Sequence, residues 1–214
     1  MIRRVLVLAA VLLLMPTPWA YADDDEEKED PVFSESSTYV GLQYLYGFPN
    51  FRNTIGRDST NGTLFGVGNK KGGMGLTARV GMRPIRYMSF EVVFDWVHDF
   101  DLTVKAGGLP TDRTFDTYMG SGNIKLFPFQ GLFDSLEIGR VQPFLEAGGG
   151  VIGASGTGIS TPLAFAGRLG GGLDVFVTDS LAITTEGFYV LPTSNLKGMR
   201  YVGASLGVTY HFRE

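Results

Sequence analysis

The sequence predicts an all-β protein, an eight-stranded antiparallel up-and-down transmembrane β-barrel over residues 37–214. Three observations predict it. Eight segments alternate apolar and polar residues with a period of two, as strands do because successive side chains point to opposite faces. One face is an unbroken series of Leu, Val, Phe and Met, while the other mixes charges of both signs with Gly. A soluble sandwich alternates too, but its polar face meets bulk water and favours Lys, Ser and Thr, so this pattern is inside-out for a soluble sheet and right for a lipid-facing wall. The connections alternate between long and short, as in barrels with tight turns on the periplasmic side and long loops outside.

The strands read in order along the chain. Val40, Leu42, Tyr44 and Tyr46 mark the first. Met74, Leu76, Ala78, Val80 and Met82 mark the second. Met88, Phe90, Val92, Phe94 and Trp96 mark the third. Tyr118, Ile124 and Leu126 mark the fourth, with Gly120 and Gly122 between them. Leu145, Ala147, Gly149 and Val151 mark the fifth. Phe165, Leu169, Leu173 and Val175 mark the sixth, and Leu181, Ile183, Tyr189 and Leu191 the seventh. Val202, Ala204, Leu206, Val208, Tyr210 and Phe212 complete the eighth. A transmembrane strand needs about 9–11 residues, apolar on the lipid face at every second position.

Residues 49–73, 98–113, 154–162 and 192–199 are polar and Gly-rich and read as external loops, and 84–87 and 177–180 read as tight turns. The glycines at Gly66, Gly68, Gly72 and Gly73 read as loop, since no helix follows to make a phosphate cradle. An even strand count returns both ends of the barrel to the periplasm. Residues 128–142 (PFQGLFDSLEIGRVQ) are long for a periplasmic turn. Their Phe129, Leu132, Phe133 and Ile138 either lie against the membrane interface or belong to a folded-back plug.

Residues 1–22 read as a secretory signal peptide: Arg3 and Arg4 lead, Val5 to Met15 are apolar, and Ala20 and Ala22 supply the small-x-small cleavage pattern. The apolar run is too short to span a ~30 Å hydrocarbon core. The mature chain then starts at Asp23, and residues 23–36 form an acidic leader that opens DDDEEKED. A charge run of this kind is a solvated, disordered segment. A divalent-cation site is the alternative, but consecutive ligands without a Gly-containing loop fit calcium geometry poorly. With no cysteine, the chain has no lipoprotein attachment site, disulfide or thiolate chemistry. Removing residues 1–22 leaves 192 residues, the size of one domain, with 16 basic against 22 acidic side chains and a net charge of −6. That charge argues against a nucleic-acid partner.

The inward face carries Arg79, Arg83, Glu91, Asp95, Lys125, Glu146, Arg168, Asp174 and Glu186. Eight strands enclose a space just wide enough for side chains to fill. These charges therefore predict a lumen closed by ion pairs, with Arg79 facing Glu91, Lys125 near Glu146, and Arg168 facing Glu186. Solvation of each charge by lumen water is the alternative. Aromatics near strand ends read as interfacial girdles: Tyr44, Tyr46, Phe48, Trp96 and Tyr189 at the outer end, and Phe127, Phe129, Phe176, Tyr210 and Phe212 at the periplasmic end. The only histidines, His98 and His211, fall at opposite ends of the barrel and cannot share a metal. His98 with Asp99 or Asp101 is the only catalytic seed, and no nucleophile accompanies it. No catalytic residue, cofactor or metal site is assigned.

The closing strand carries Ser205, Gly207, Tyr210 and Phe212 in an order that resembles the C-terminal insertion signal of bacterial outer-membrane barrels, although Arg213 and Glu214 follow the final aromatic. With the segments RPIRYMSFEVVFDW, VQPFLEAGGGV and GRLGGGLDVFVTDSLAITTEGFY and the closing GVTYHF, residues 37–212 resemble the small outer-membrane barrel family that includes the transmembrane domain of outer membrane protein A and outer membrane protein X. The resemblance implies residence in the bacterial outer membrane among its lipids and lipopolysaccharide. It also implies contact during biogenesis with periplasmic chaperones and the barrel-assembly machinery. No peptidoglycan-binding domain is expected beyond the eighth strand. Three roles follow in order: a structural or interaction barrel displaying its loops, a narrow porin-like channel for small solutes, and a lipopolysaccharide-modifying enzyme.

Overall fold

The computed structural model describes residues 36–50, 66–106, 109–128, 140–156, 159–160, 163–193 and 196–212. They form one antiparallel sheet of ten strands: β1 (Ser37–Pro49), β2 (Gly66–Lys71), β3 (Gly73–Ile85), β4 (Met88–Ala106), β5 (Leu109–Leu126), β6 (Val141–Gly156), β7 (Ile159–Ser160), β8 (Ala164–Phe176), β9 (Leu181–Pro192) and β10 (Tyr201–Phe212). Eight of them close into a barrel. The ring runs β1, β3, β4, β5, β6, β8, β9, β10 and back to β1. The closing pair spans twelve register positions, from Thr38 opposite Phe212 to Pro49 opposite Tyr201. Closure leaves no edge within the wall, so the backbone groups are satisfied by neighbouring strands.

The eight barrel strands are the eight read from the sequence, but several connections differ from the reading. Residues 98–106 and 109–113 continue the wall: β4 runs on to Ala106, and β5 begins at Leu109 and pairs with it. Within 49–73, β2 pairs with this extension, Val67 opposite Val104, and Gly73 already belongs to β3. Within 154–162, β6 continues to Gly156 and pairs with β7. A strand needs only about 9–11 residues to cross the hydrocarbon. The 19 residues of β4 and 18 of β5 therefore carry the ladder past it, where the apolar face is no longer required. Residues 128–142 shrink from the other side, because β6 begins at Val141. Phe129, Leu132, Phe133 and Ile138 lie outside the described residues, as do Ala20, Ala22 and the acidic run.

The two faces of the wall are sharply different. Every second residue of β10 points outward and is exposed: Val202, Ala204, Leu206, Val208, Tyr210 and Phe212. The same parity exposes Leu42, Met74, Phe94, Leu145 and Leu169. Water would not tolerate so continuous an apolar belt, which suits hydrocarbon. The girdle assignment needs two corrections. Phe127 and Phe176 are buried inside the barrel, whereas Tyr44, Phe48, Trp96, Tyr210 and Phe212 face outward. Parity explains it: Phe127 lies two residues after inward Lys125, and Phe176 two after inward Asp174.

Candidate functional site: the barrel lumen

The interior fills in three layers. At the end with the tight turns, Tyr39, Phe127, Phe144, Phe176 and His211 are buried together. His211 sits between Tyr39 and Phe176, with ring centroids 5.1 and 5.0 Å away. The middle layer is ionic. At the far end, Leu45, Val97, Phe100, Phe115, Ile152, Val190 and Tyr201 form an apolar cluster, joined by Leu196 and Met199 from the β9–β10 connection.

The ionic layer contains all nine charged residues of the inward face, none more than 4% exposed. Arg168, on β8, reaches three other strands. Its guanidinium donates to Asp95 on β4, to Glu146 on β6 at 2.7 Å and to Glu186 on β9 at 2.7 Å, and it stacks 3.5 Å from the Phe188 ring centroid. Arg79, on β3, donates to Glu186, to Glu91 at 3.4 Å and to Gln43 at 3.2 Å, and lies 4.0 Å from Glu146. The two guanidiniums thus share Glu186 and Glu146 from opposite sides. Lys125 and Glu146 are opposite in register on β5 and β6, but the Lys125 ammonium turns elsewhere, to Asp174 at 3.4 Å and Glu91 at 4.0 Å, over the Phe144 ring at 3.8 Å. Glu146 is taken by Arg168 and by the Asn123 amide at 2.7 Å. Arg83 donates to Gln142 at 2.8 Å and to the Arg86 carbonyl, and packs 4.1 Å from the Phe127 ring centroid.

Neutral side chains complete the layer. Thr77 donates to Asp95 and Thr184 to Asp174, each at 2.7 Å. Tyr39 donates to Glu91 at 3.0 Å, and Ser205 to Gln43 at 2.6 Å. Glycine makes the space for the rings. A Cβ on Gly81 would stand 2.2 Å from the Tyr39 ring, and one on Gly203 would stand 2.2 Å from the Phe188 ring. Inward glycines facing bulky neighbours are how a narrow barrel is filled without voids. Charged groups this deep are costly unless paired and hydrogen-bonded, and the network supplies partners across the lumen as well as along neighbouring strands, while Arg79 Nε and Glu146 Oε2 are left without a hydrogen bond.

Of the other residues singled out in the sequence, Ser205 faces inward beside Gln43, Gly207 lies against the β1 backbone, and Tyr210 and Phe212 face outward with ring centroids 5.1 Å apart. His98 is exposed at the far end of the wall. Its nearest acids are Asp116, at 2.7 Å, and Asp99, at 3.3 Å; Asp116 takes the place the sequence reading gave to Asp101.

Two solved structures resemble this closed barrel over nearly their whole length. Neisserial surface protein A matches with a TM-score of 0.56 at 18% identity, covering 84% of this chain and 100% of that one. The outer membrane protein OprG from Pseudomonas aeruginosa matches with a TM-score of 0.57 at 12% identity, covering 86% of this chain and 100% of that one. The chain has the fold of the small eight-stranded outer-membrane β-barrels. No protein-family model matches the chain, and no curated protein matches it in sequence.

Proposed function

We propose that this protein is a resident structural or interaction barrel of the bacterial outer membrane, with a closed lumen, that presents its extended hairpins and loops outside the cell. The observation that carries the reading is the ionic layer, in which Arg79 and Arg168 are buried to 2% and 0% exposure between carboxylates from β4, β6 and β9. A solute path through the barrel would have to break several charge-assisted hydrogen bonds at once, and then pass the apolar cluster that Leu196 and Met199 stopper. The outward apolar belt supports membrane residence, and the continuation of β4 and β5 to Ala106 and Leu109 supports presentation of a hairpin beyond it.

On this reading residues 1–22 are removed at Ala22, residues 23–36 form a periplasmic leader, and Ser205, Gly207, Tyr210 and Phe212 engage the barrel-assembly machinery after escort by periplasmic chaperones. The direct neighbours of the outward face are then outer-membrane lipids and lipopolysaccharide. The reading includes no enzymatic step: among the described residues, the polar side chains that His98 meets are those of Asp99 and Asp116. Sucrose-gradient fractionation tests the assignment. The chain should co-sediment with outer-membrane markers, start at Asp23, and show the heat-dependent gel mobility of a folded barrel. Recovery from a periplasmic extract without detergent would refute it.

A further inference from the structure

On the outer wall, beyond the apolar belt, a β-bulge gathers three metal-ligating side chains that the closed lumen does not use. Val97 pairs with Thr117 and Phe100 with Phe115, so His98 and Asp99 together oppose Asp116. Asp99 takes a positive φ of 58°, the only non-glycine residue among those described to do so. A regular strand would send consecutive side chains to opposite faces. The bulge instead leaves both exposed on the face where Asp116 lies, which the simple alternation of the sequence does not anticipate.

We propose that His98, Asp99 and Asp116 form a surface site for one divalent transition-metal ion, of the zinc, copper or nickel class. One donor atom from each residue lies within 4.8 Å of the other two. His98 Nδ1 is 2.7 Å from Asp116 Oδ1, and His98 Nε2 is 3.3 Å from Asp99 Oδ2. These two contacts use opposite nitrogens of the ring, and one ion takes only one of them. Metal–ligand bonds of about 2.1 Å place neighbouring ligands roughly 3.0–3.4 Å apart, so the site closes by turning side chains whose donors already lie within 4.8 Å of one another. Asp116 is the fixed member, with its side chain only 24% exposed. Its second oxygen is 3.4 Å from the Tyr118 hydroxyl, and Oδ1 also accepts from the Asp99 backbone at 3.4 Å. The His98 and Asp99 side chains are 53% and 63% exposed and turn easily to close on an ion.

The donor set decides the ion. Carboxylates alone would suit calcium or magnesium, but an imidazole selects first-row transition metals. Two carboxylates and a neutral imidazole carry a charge of −2, which a divalent cation neutralises. Three protein ligands leave positions open to solvent, the arrangement of an exchangeable site rather than a closed structural one. Metal ligands bind in their deprotonated forms, so acid weakens uptake.

Isothermal titration of the refolded full-length mature barrel with Zn2+ tests this, with Ca2+ as the comparison. We expect one saturable Zn2+ site at pH 7.5 that is strongly weakened at pH 5.5 and is not occupied by Ca2+. H98A and D116N should each lower Zn2+ affinity by roughly tenfold or more, while D101N, one outward position along, should leave it unchanged. All three variants keep the acidic leader and are exposed or half-buried, and heat-dependent gel mobility verifies their folding. Electron paramagnetic resonance of a Cu2+ complex provides a second readout, with nitrogen hyperfine coupling in wild type that disappears in H98A. Absence of a saturable Zn2+ site, equal affinity in H98A and wild type, or a copper spectrum without nitrogen coupling would overturn the proposal.

Discussion

Removing the Arg168 guanidinium while keeping its apolar stem, as in R168M, should be among the most damaging single changes to this barrel. Its three carboxylate partners would not suffer equally. Glu186 keeps its bond to Arg79. Glu146 keeps the Asn123 amide at 2.7 Å but has Arg79 only at 4.0 Å. Among the described residues, Asp95 keeps only the Thr77 hydroxyl, at 2.7 Å, and has no other cation within salt-bridge distance. The loss therefore falls mainly on Asp95 and then on Glu146. Removing one partner of a buried ion pair costs about 3–5 kcal/mol. That corresponds to roughly two to four orders of magnitude in the unfolding constant. The assay is equilibrium unfolding of the barrel refolded in lipid vesicles, followed by the fluorescence of Trp96, the only tryptophan after residue 22. Because the cost arises from a stranded charge, R168M/D95N should be more stable than R168M by at least about 1 kcal/mol, a coupling that independent sites would not show. A loss below about 1 kcal/mol in R168M, or no recovery in the double variant, would show that the ionic layer is not what fills the lumen.

Two further predictions follow from the same geometry. G81A should lose about 1–3 kcal/mol, because the new methyl group overlaps the Tyr39 ring, while G187A should be nearly neutral, since nothing lies within 4 Å of its Cβ position; chemical denaturation of both variants checks the contrast. F212A should slow assembly into the outer membrane more than R213A does, because only the former removes an outward aromatic of the closing strand; pulse-chase measurement of the heat-modifiable form reads it, and equal effects would contradict the register assigned to that strand.

The wall of the barrel was legible in the sequence, and its extent was not. Val202 to Phe212 read directly as an outward face, because lipid demands an apolar residue at every second position. Beyond the hydrocarbon that demand ends while the backbone ladder continues. Asp99, Asp101 and Lys105 therefore resembled loop residues although β4 carries them all. Phe127 and Phe176 stand near strand ends, where aromatics form girdles, but parity puts each with the inward charge two residues before it. Alternation also tells which side a residue faces but not what lies across the lumen. Arg168 and Asp95 are 73 residues apart and sit on strands that are not neighbours, so only closure of the barrel brings them together. Leu196 and Met199 fall in a polar, Gly-containing stretch, and their burial in the apolar cluster depends on tertiary packing that no local pattern encodes. The bulge at Asp99 breaks the alternation on which every other assignment rests, so the grouping of His98 with Asp116 had no sequence signal.

Planar-bilayer recording of the refolded mature protein tests the closed lumen most directly. Wild type should be nearly non-conducting over long recordings at neutral pH. R168M, which opens the ionic layer, and M199K, which disrupts the apolar stopper, should raise the frequency of small openings, most of all in combination. Large, steady conductance in wild type, unchanged by either substitution, would contradict a barrel closed by its own side chains.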